Sequence, residues 1–285
     1  MSLFGELVAQ AMQAEASLGT VRAAVEKELL HHDILREMSR AGLLNGLIFI
    51  GGTCLRTCYG SPRLSEDLDF AGGFGFRRSQ LADLGRVLES TLMDKYGLPV
   101  RVSDPVREEG NVSTWKMRLT TRPAAKHLPA QRVHIDICAV RSHRPRPSLL
   151  RNHYGVDMGT DGLILQVESR DEILADKWVA LAFRPNRVQY RDLWDILWLE
   201  RQGGRLEPDL VLQKVRDRQH SRNAFADKLS RRLESLHDEV HERSFRQEMN
   251  RFLPQSDVRD AVDHPDFWTL LLLSLEEQVQ TLIRS

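Results

Sequence analysis

The sequence predicts an α/β (α+β) protein: a mixed β-sheet core with helices before it and a helical part after it. Three observations carry this. Residues 3–42 are rich in Ala, Leu and Glu, good helix formers. Short runs of β-branched and aromatic residues then cluster between 47 and 140, separated by Gly, Pro and charged turns. From about Glu207 the apolar spacing is helical to the end.

The first forty residues read as two helices, with Gly19-Thr20 as the break and a new N-cap. "LIFI" (Leu47 to Ile50) is a short apolar strand stopped by Gly51-Gly52. A short helix is expected from Thr53, and "EDLDF" is a second strand. Ser79 can cap a helix running to about Tyr96. Strands follow in "LPVRVS", "NVSTWKMRLTTR" and "RVHIDICAV". "HRPRPSLLRNHYGVDMGTDG" reads as a loop, so the soft boundary lies within 144–170. This divides the chain into 1–160, the sheet core with its N-terminal helices, and 161–285, a helical domain. In "SRDEILADKWVALAF", Ser169 and Glu172 have capping-box spacing. Arg184-Pro185-Asn186 breaks that helix, and "YRDLWDILWLERQ" resumes it.

The bulk numbers exclude several classes. The chain has 285 residues, 40 basic and 40 acidic, so net charge points to no partner. Three cysteines, Cys54, Cys58 and Cys138, are too few and too odd in number for a disulfide framework and favour a reducing compartment. "FWTLLLLSL" is far short of the ~20 residues that span a bilayer. The N-terminus has no apolar core like that of a signal peptide. A cytoplasmic protein is expected.

The chemistry-bearing residues lie in "GGTCLRTCYGSPRLSEDLDF". Side chains alternate along a strand, so Asp67 and Asp69 share one face while Leu68 and Phe70 take the other. Two carboxylates ~6–7 Å apart repel, and a hard divalent cation removes that cost. "RVHIDICAV" repeats the pattern: Val133, Ile135, Ile137 and Ala139 face one way, His134, Asp136 and Cys138 the other. Asp136 is either a hydrogen-bonded structural aspartate or a third metal ligand, and the latter is favoured. Gly51-Gly52-Thr53 at a strand-to-helix junction is either a tight turn or a phosphate cradle, because glycines admit close approach and helix N-termini bind anions. It is neither a Walker A motif nor a dinucleotide fingerprint. Together these features fit a triphosphate held by the turn and Ser65, with Mg²⁺ on the aspartates. In a two-metal site one ion activates a hydroxyl and the other steadies the leaving pyrophosphate.

The same residues resemble the AbiEii/AbiGii toxin family of the DNA polymerase β-like superfamily. The shared pattern is two glycines and Ser/Thr, a leucine, Tyr-Gly, Arg, Ser and Asp-hydrophobic-Asp. Gly51, Gly52, Thr53, Leu55, Tyr59, Gly60, Arg63, Ser65, Asp67 and Asp69 match it. A second block, "EILADKWVALAFRPNRVQYRDLWDI", matches through Lys177, Arg184, Arg191, Asp192 and Asp195. Ile50 departs, since many members carry a lysine there. The resemblance implies a minimal nucleotidyltransferase fold and Mg²⁺-dependent (or Mn²⁺-dependent) transfer of a nucleoside monophosphate from an NTP. It implies a type IV toxin–antitoxin or abortive-infection toxin, with an antitoxin encoded nearby. It also implies an RNA acceptor, the 3′ end of tRNA, whose modification stops translation. Gly51, Gly52, Thr53, Arg63, Ser65, Lys177 and Arg184 would then bind nucleotide, Asp67, Asp69 and Asp136 metal, and Asp67, Asp69, Lys177 and Asp192 would serve catalysis.

Read physically, Lys177 sits at the edge of an apolar stripe of Leu174, Trp178 and Leu181, with Arg184 two turns on. A lysine at a core margin needs an anionic partner, either a nearby carboxylate or a triphosphate. Asp192 and Asp195 share a helix face. Asp192 can orient Lys177 or Arg184, act as base for the acceptor hydroxyl, or form a buried salt bridge with Arg191 or Arg184. Residues 116–153 hold nine Lys/Arg and one acid, Asp136. They are Lys116, Arg118, Arg122, Lys126, Arg132, Arg141, Arg144, Arg146 and Arg151. Such a surface suits RNA phosphates. Two alternatives stay open: transfer to a protein hydroxyl, and a non-catalytic nucleotide-binding toxin or regulatory module.

Overall fold

A computed structural model describes residues 2–14, 22–106, 111–121, 130–185 and 187–284. The expected break at Gly19-Thr20 lies outside them, as do Arg122, Lys126 and Asn186. The chain divides into two compact units, Met1–Val167 and Glu168–Ser285.

The first unit opens with α1 (Leu3–Ala14) and α2 (Arg22–Arg40). α2 is unusual for what it buries: Glu26, Glu28, His31, His32, Asp33 and Glu37 are all inside. Each needs a partner to offset desolvation. Glu28 takes the Arg56 guanidinium at 3.0 Å and the Tyr154 hydroxyl. Asp33 takes Lys95 at 2.6 Å, Arg36 at 2.8 Å and the Tyr96 hydroxyl.

Seven strands among the described residues form one mixed sheet in the order β3-β4-β5-β2-β1-β7-β6. They are β1 (Ile48–Ile50), β2 (Leu68–Ala71), β3 (Val100–Ser103), β4 (Val112–Leu119), β5 (Gln131–Cys138), β6 (Pro145–Leu149) and β7 (Ile164–Glu168). β1 pairs antiparallel with β2 and parallel with β7, and β2 pairs parallel with β5. The alternation expected of β5 holds within the strand, with Val133, Ile135 and Ile137 buried and His134, Asp136 and Cys138 partly exposed, while Ala139 lies past its end and is only partly buried. The inner face also carries Leu68, Phe70, Trp115, Met117 and Leu119, with Phe70 against Phe49 at 5.1 Å.

Four local expectations are corrected. The helix after β1 starts at Gly51, as α3 (Gly51–Cys54) running into a π-helical segment, Leu55–Tyr59, and not at Thr53. β2 starts at Leu68, so Asp67 stands just before the ladder. Ser79 caps nothing: it lies within a 3₁₀ turn, Arg78–Leu81, and α4 (Leu84–Tyr96) begins after Asp83. The supposed loop contains β6, whose Pro145 and Pro147 suit its edge position, because proline cannot donate to a ladder.

The second unit is helical: α5 (Arg170–Phe183), α6 (Tyr190–Arg201), α7 (Pro208–Asp217), α8 (Arg222–Ser235), α9 (Glu239–Phe252), α10 (Gln255–Asp257) and α11 (Phe267–Arg284). The Ser169 hydroxyl caps α5 by accepting from the Glu172 N–H at 3.2 Å. α5 packs against α6, α7 and α8.

Candidate active site

The turn from β1 into α3 brings together four of the residues expected to bind nucleotide. Gly51 has φ +76°, a left-handed conformation that favours glycine. A β-carbon there would lie 2.8 Å from Asp69 Oδ2. Gly52 lacks a side chain for want of room: its β-carbon would run into Arg63 Nη2 and lie 3.1 Å from Ser65 Oγ. So Gly51 lies against Asp69, and Gly52 against Arg63 and Ser65. Arg63 is almost wholly buried and donates to the Leu64 carbonyl at 2.9 Å. Thr53 differs from expectation. Its side chain is fully buried and its hydroxyl donates to the Asp67 carbonyl. That bond ties the turn to the aspartate segment and points the hydroxyl inward.

Asp69 and Asp136 are register partners on the parallel strands β2 and β5. Asp136 Oδ1 is buried with no hydrogen-bond partner among the described residues. Burial pushes the Asp136 carboxyl above the usual range; the Thr114 hydroxyl opposes that shift, and the Asp67 charge adds to it. Thr114 stands directly across from Asp136 on β4. Asp67 is engaged through one oxygen: its Oδ1 accepts from the His134 backbone N–H at 3.0 Å and lies 3.3 Å from the His134 ring. Among the described residues no group of three or more His, Cys, Asp or Glu is arranged to hold a metal ion. The donor chemistry nonetheless fits a hard cation, since every donor is a carboxylate and one oxygen is orphaned in a buried position. A cleft of about 370 Å³ lies beside these strands, lined by Ser103, Asp104, Val112, Thr114 and Lys116 among others.

Within the second unit, Lys177 Nζ donates to Asp192 Oδ1 and lies 2.7 Å from both it and Asp195 Oδ2. Arg184 lies just past the end of α5, and its Nη2 donates to Asp192 Oδ2 at 2.9 Å. Asp192 is thus shared by two cations while only 5% exposed. Arg191 pairs instead with Glu248 at 3.1 Å. Of the two salt-bridge partners the sequence allows for Asp192, Arg184 is used and Arg191 is not, and the contact with Lys177 also suits a residue that orients these cations.

Residues 33–272 match the profile of the family described as "Nucleotidyl transferase AbiEii toxin, Type IV TA system". The chain belongs to this family. This AbiEii-family protein is therefore a nucleotidyltransferase and a toxin, of a family that works with an antitoxin, an NTP and a divalent metal. Among solved structures it is similar to MenT4, the nucleotidyltransferase toxin Rv2826c from Mycobacterium tuberculosis H37Rv. The two are 17% identical over 96% of this chain and 98% of that one, with a TM-score of 0.55. That likeness shows the nucleotidyltransferase-toxin fold. JHP933 from Helicobacter pylori matches at 16% identity over 91% of this chain and 93% of its own, with a TM-score of 0.44. No curated protein matches significantly. No described helix of the AbiEii-family toxin is long and apolar enough to cross a membrane.

His134 and Thr114, which contact the aspartates, were not singled out by sequence. Alternation alone puts His134 on the face of Asp136. That Thr114 stands opposite depends on the β4–β5 register, which no local pattern encodes.

Proposed function

We propose that this toxin transfers a nucleoside monophosphate from an NTP to an RNA acceptor, with the 3′ end of tRNA as the target and Mg²⁺ (or Mn²⁺) as the cation. The observation that carries this reading is the alignment of Gly51 against Asp69 and of Asp69 with Asp136, whose buried Oδ1 lacks a partner. Asp69 and Asp136 would hold the cation. Asp67 would be the third carboxylate of that set. The cation, when bound, lowers the pKa of the attacking hydroxyl and neutralises charge on the phosphates.

The remaining assignments concern the chain's own groups. Backbone N–H groups at Gly51 and Gly52 bind phosphate oxygens, because the first turn of a helix leaves such donors unpaired. The Ser65 hydroxyl donates to the same group, and Arg63 sets positive charge beneath the turn. Thr53 acts through its bond to the Asp67 carbonyl, as a positioning residue. Lys177 and Arg184 are assigned to the triphosphate on the family resemblance. Asp192 positions those two cations and is a poor proton acceptor while both are on it. In the reaction the acceptor hydroxyl oxygen bonds to the α-phosphorus and the α–β bridging bond breaks. Pyrophosphate leaves, and the hydroxyl proton passes to solvent.

The test is incubation with total RNA and each of the four α-³²P-labelled NTPs. Label is expected on RNA, removed by RNase, and absent with Asp69→Asn or Asp136→Asn. Label that runs with protein and survives RNase would replace RNA by a protein hydroxyl. Label on neither would sink the reading altogether.

A further inference from the structure

The register of β3, β4 and β5 places three arginines side by side. Arg101 is opposite Arg118, and Arg118 is opposite Arg132. All three are exposed, and none forms an ion pair or hydrogen bond with another described side chain. One step along the same face come Ser103, Lys116 and His134, again mutual partners. One step further stand Thr114, Asp136 and Asp69. The face therefore reads as an arginine row, a Lys/His row and a carboxylate row. Arg132 is four residues from Asp136, a distance of ~13 Å along a strand.

Like charges directly opposite one another on a sheet are destabilising. A charged edge strand guards against aggregation, which accounts for Arg101 on the edge strand β3 but not for Arg118 and Arg132 on interior strands. The molecule as a whole carries no net charge, so the row is a local feature and not a consequence of a basic composition. A polyanion removes the repulsion, and one whose reactive end lies at the carboxylates passes over Lys116 and then the arginines. The aromatic of these strands, Trp115, is buried on the other face, so the row offers no surface for base stacking.

We infer that Arg101, Arg118 and Arg132 form a track for the backbone phosphates of the acceptor RNA, read by charge and not by base. The inference rests on RNA being the acceptor, as proposed above. It is tested with the full-length chain carrying R101Q, R118Q and R132Q together, and with the matching triple Arg→Lys variant. Binding of a fluorescent hairpin RNA with a single-stranded 3′ end is followed by anisotropy across a salt series without NTP.

The Gln variant is expected to bind at least tenfold more weakly and to lose roughly 2 from the slope of log affinity against log salt, ~0.7 for each single-strand phosphate contact. KM for RNA rises while KM for NTP is unchanged. The Lys variant keeps the slope, which a misfolded protein would not. The Gln variant also melts no earlier than wild type, because repulsion is relieved. Unchanged affinity and slope in the Gln variant, with wild-type protein still labelling RNA, overturn the track and leave transfer to RNA standing. Loss of binding to an acidic protein with RNA affinity intact overturns it as well. Label on protein alone in the transfer assay overturns both proposals together.

Discussion

At the scale of single residues the site is built on what Gly51 lacks. Its φ of +76° costs an L-residue about 1–2 kcal/mol, and a β-carbon there would press on Asp69 Oδ2 at 2.8 Å. Gly51→Ala is therefore expected to lower the transfer rate roughly 100-fold, the scale of loss from a misplacement of about 1 Å. Gly46 is the control: φ is +79° and nothing lies within 4 Å of its added β-carbon. Gly46→Ala should lose similar stability in urea unfolding and keep its activity. Equal loss of activity in both would mean that backbone strain, and not the approach to Asp69, sets the rate. Asp192 gives a second prediction. As a holder of Lys177 and Arg184 it should, when changed to Asn, raise KM for NTP more than it lowers kcat. A general base would show the reverse, a fall of ~10²–10⁴ in kcat alone. Steady-state kinetics at saturating RNA separates the two.

At the scale of elements, α7 buries a lysine. Lys214 has no exposed side-chain surface and meets Glu172 at 2.6 Å, Glu168 at 2.7 Å and Asp176 at 3.2 Å. Burial alone would lower its pKa, but the carboxylates of Asp176, Glu168 and Glu172 hold it raised. Removing one partner of such a group strands buried charge. Lys214→Met is expected to cost about 3–5 kcal/mol, measured as a shift of the denaturation midpoint of the second unit. A cost below about 1 kcal/mol would show that the carboxylates simply take up protons. Glu172 shows how far the sequence was legible. Its spacing from Ser169 announced the helix start correctly, but its carboxylate serves Lys214, a partner 42 positions away that no local pattern names. The same division holds elsewhere. The period-2 faces of β5 and the strand-turn-helix at Gly51 were readable, because side-chain alternation and glycine chemistry are local. β6 was not, since its prolines argue against a strand except at an edge, and edge position is a property of the finished sheet. The arginine row was hidden for a related reason: Arg101 lies outside the basic run of 116–153 and joins it only through register.

At the scale of the whole molecule, equal numbers of acids and bases leave stability against pH to the few groups that are buried. His32 is the clearest. Burial pushes its pKa down from 6.5 to about 4, against the attraction of Glu28; the charges of His31, His153 and Arg36 add to the lowering. Its Nδ1 meets the Thr160 hydroxyl at 3.0 Å, and only 2% of the residue is exposed. Burial lowers the pKa of His31 in the same direction. The folded state therefore refuses a proton that the unfolded chain accepts between pH 6.5 and about 4. The stabilisation is full above pH 6.5 and is lost progressively as pH falls through that window, reaching about 3 kcal/mol for His32 at the bottom. Between pH 7 and pH 5 the loss from His32 is about 2 kcal/mol. Urea unfolding of the first unit at those two pH values measures it, with His32→Gln as the comparison. The variant is expected to be less stable at pH 7 but to lose about 2 kcal/mol less on acidification. If it loses as much as the wild type, the acid sensitivity resides in the carboxylates and His32 is protonated without penalty.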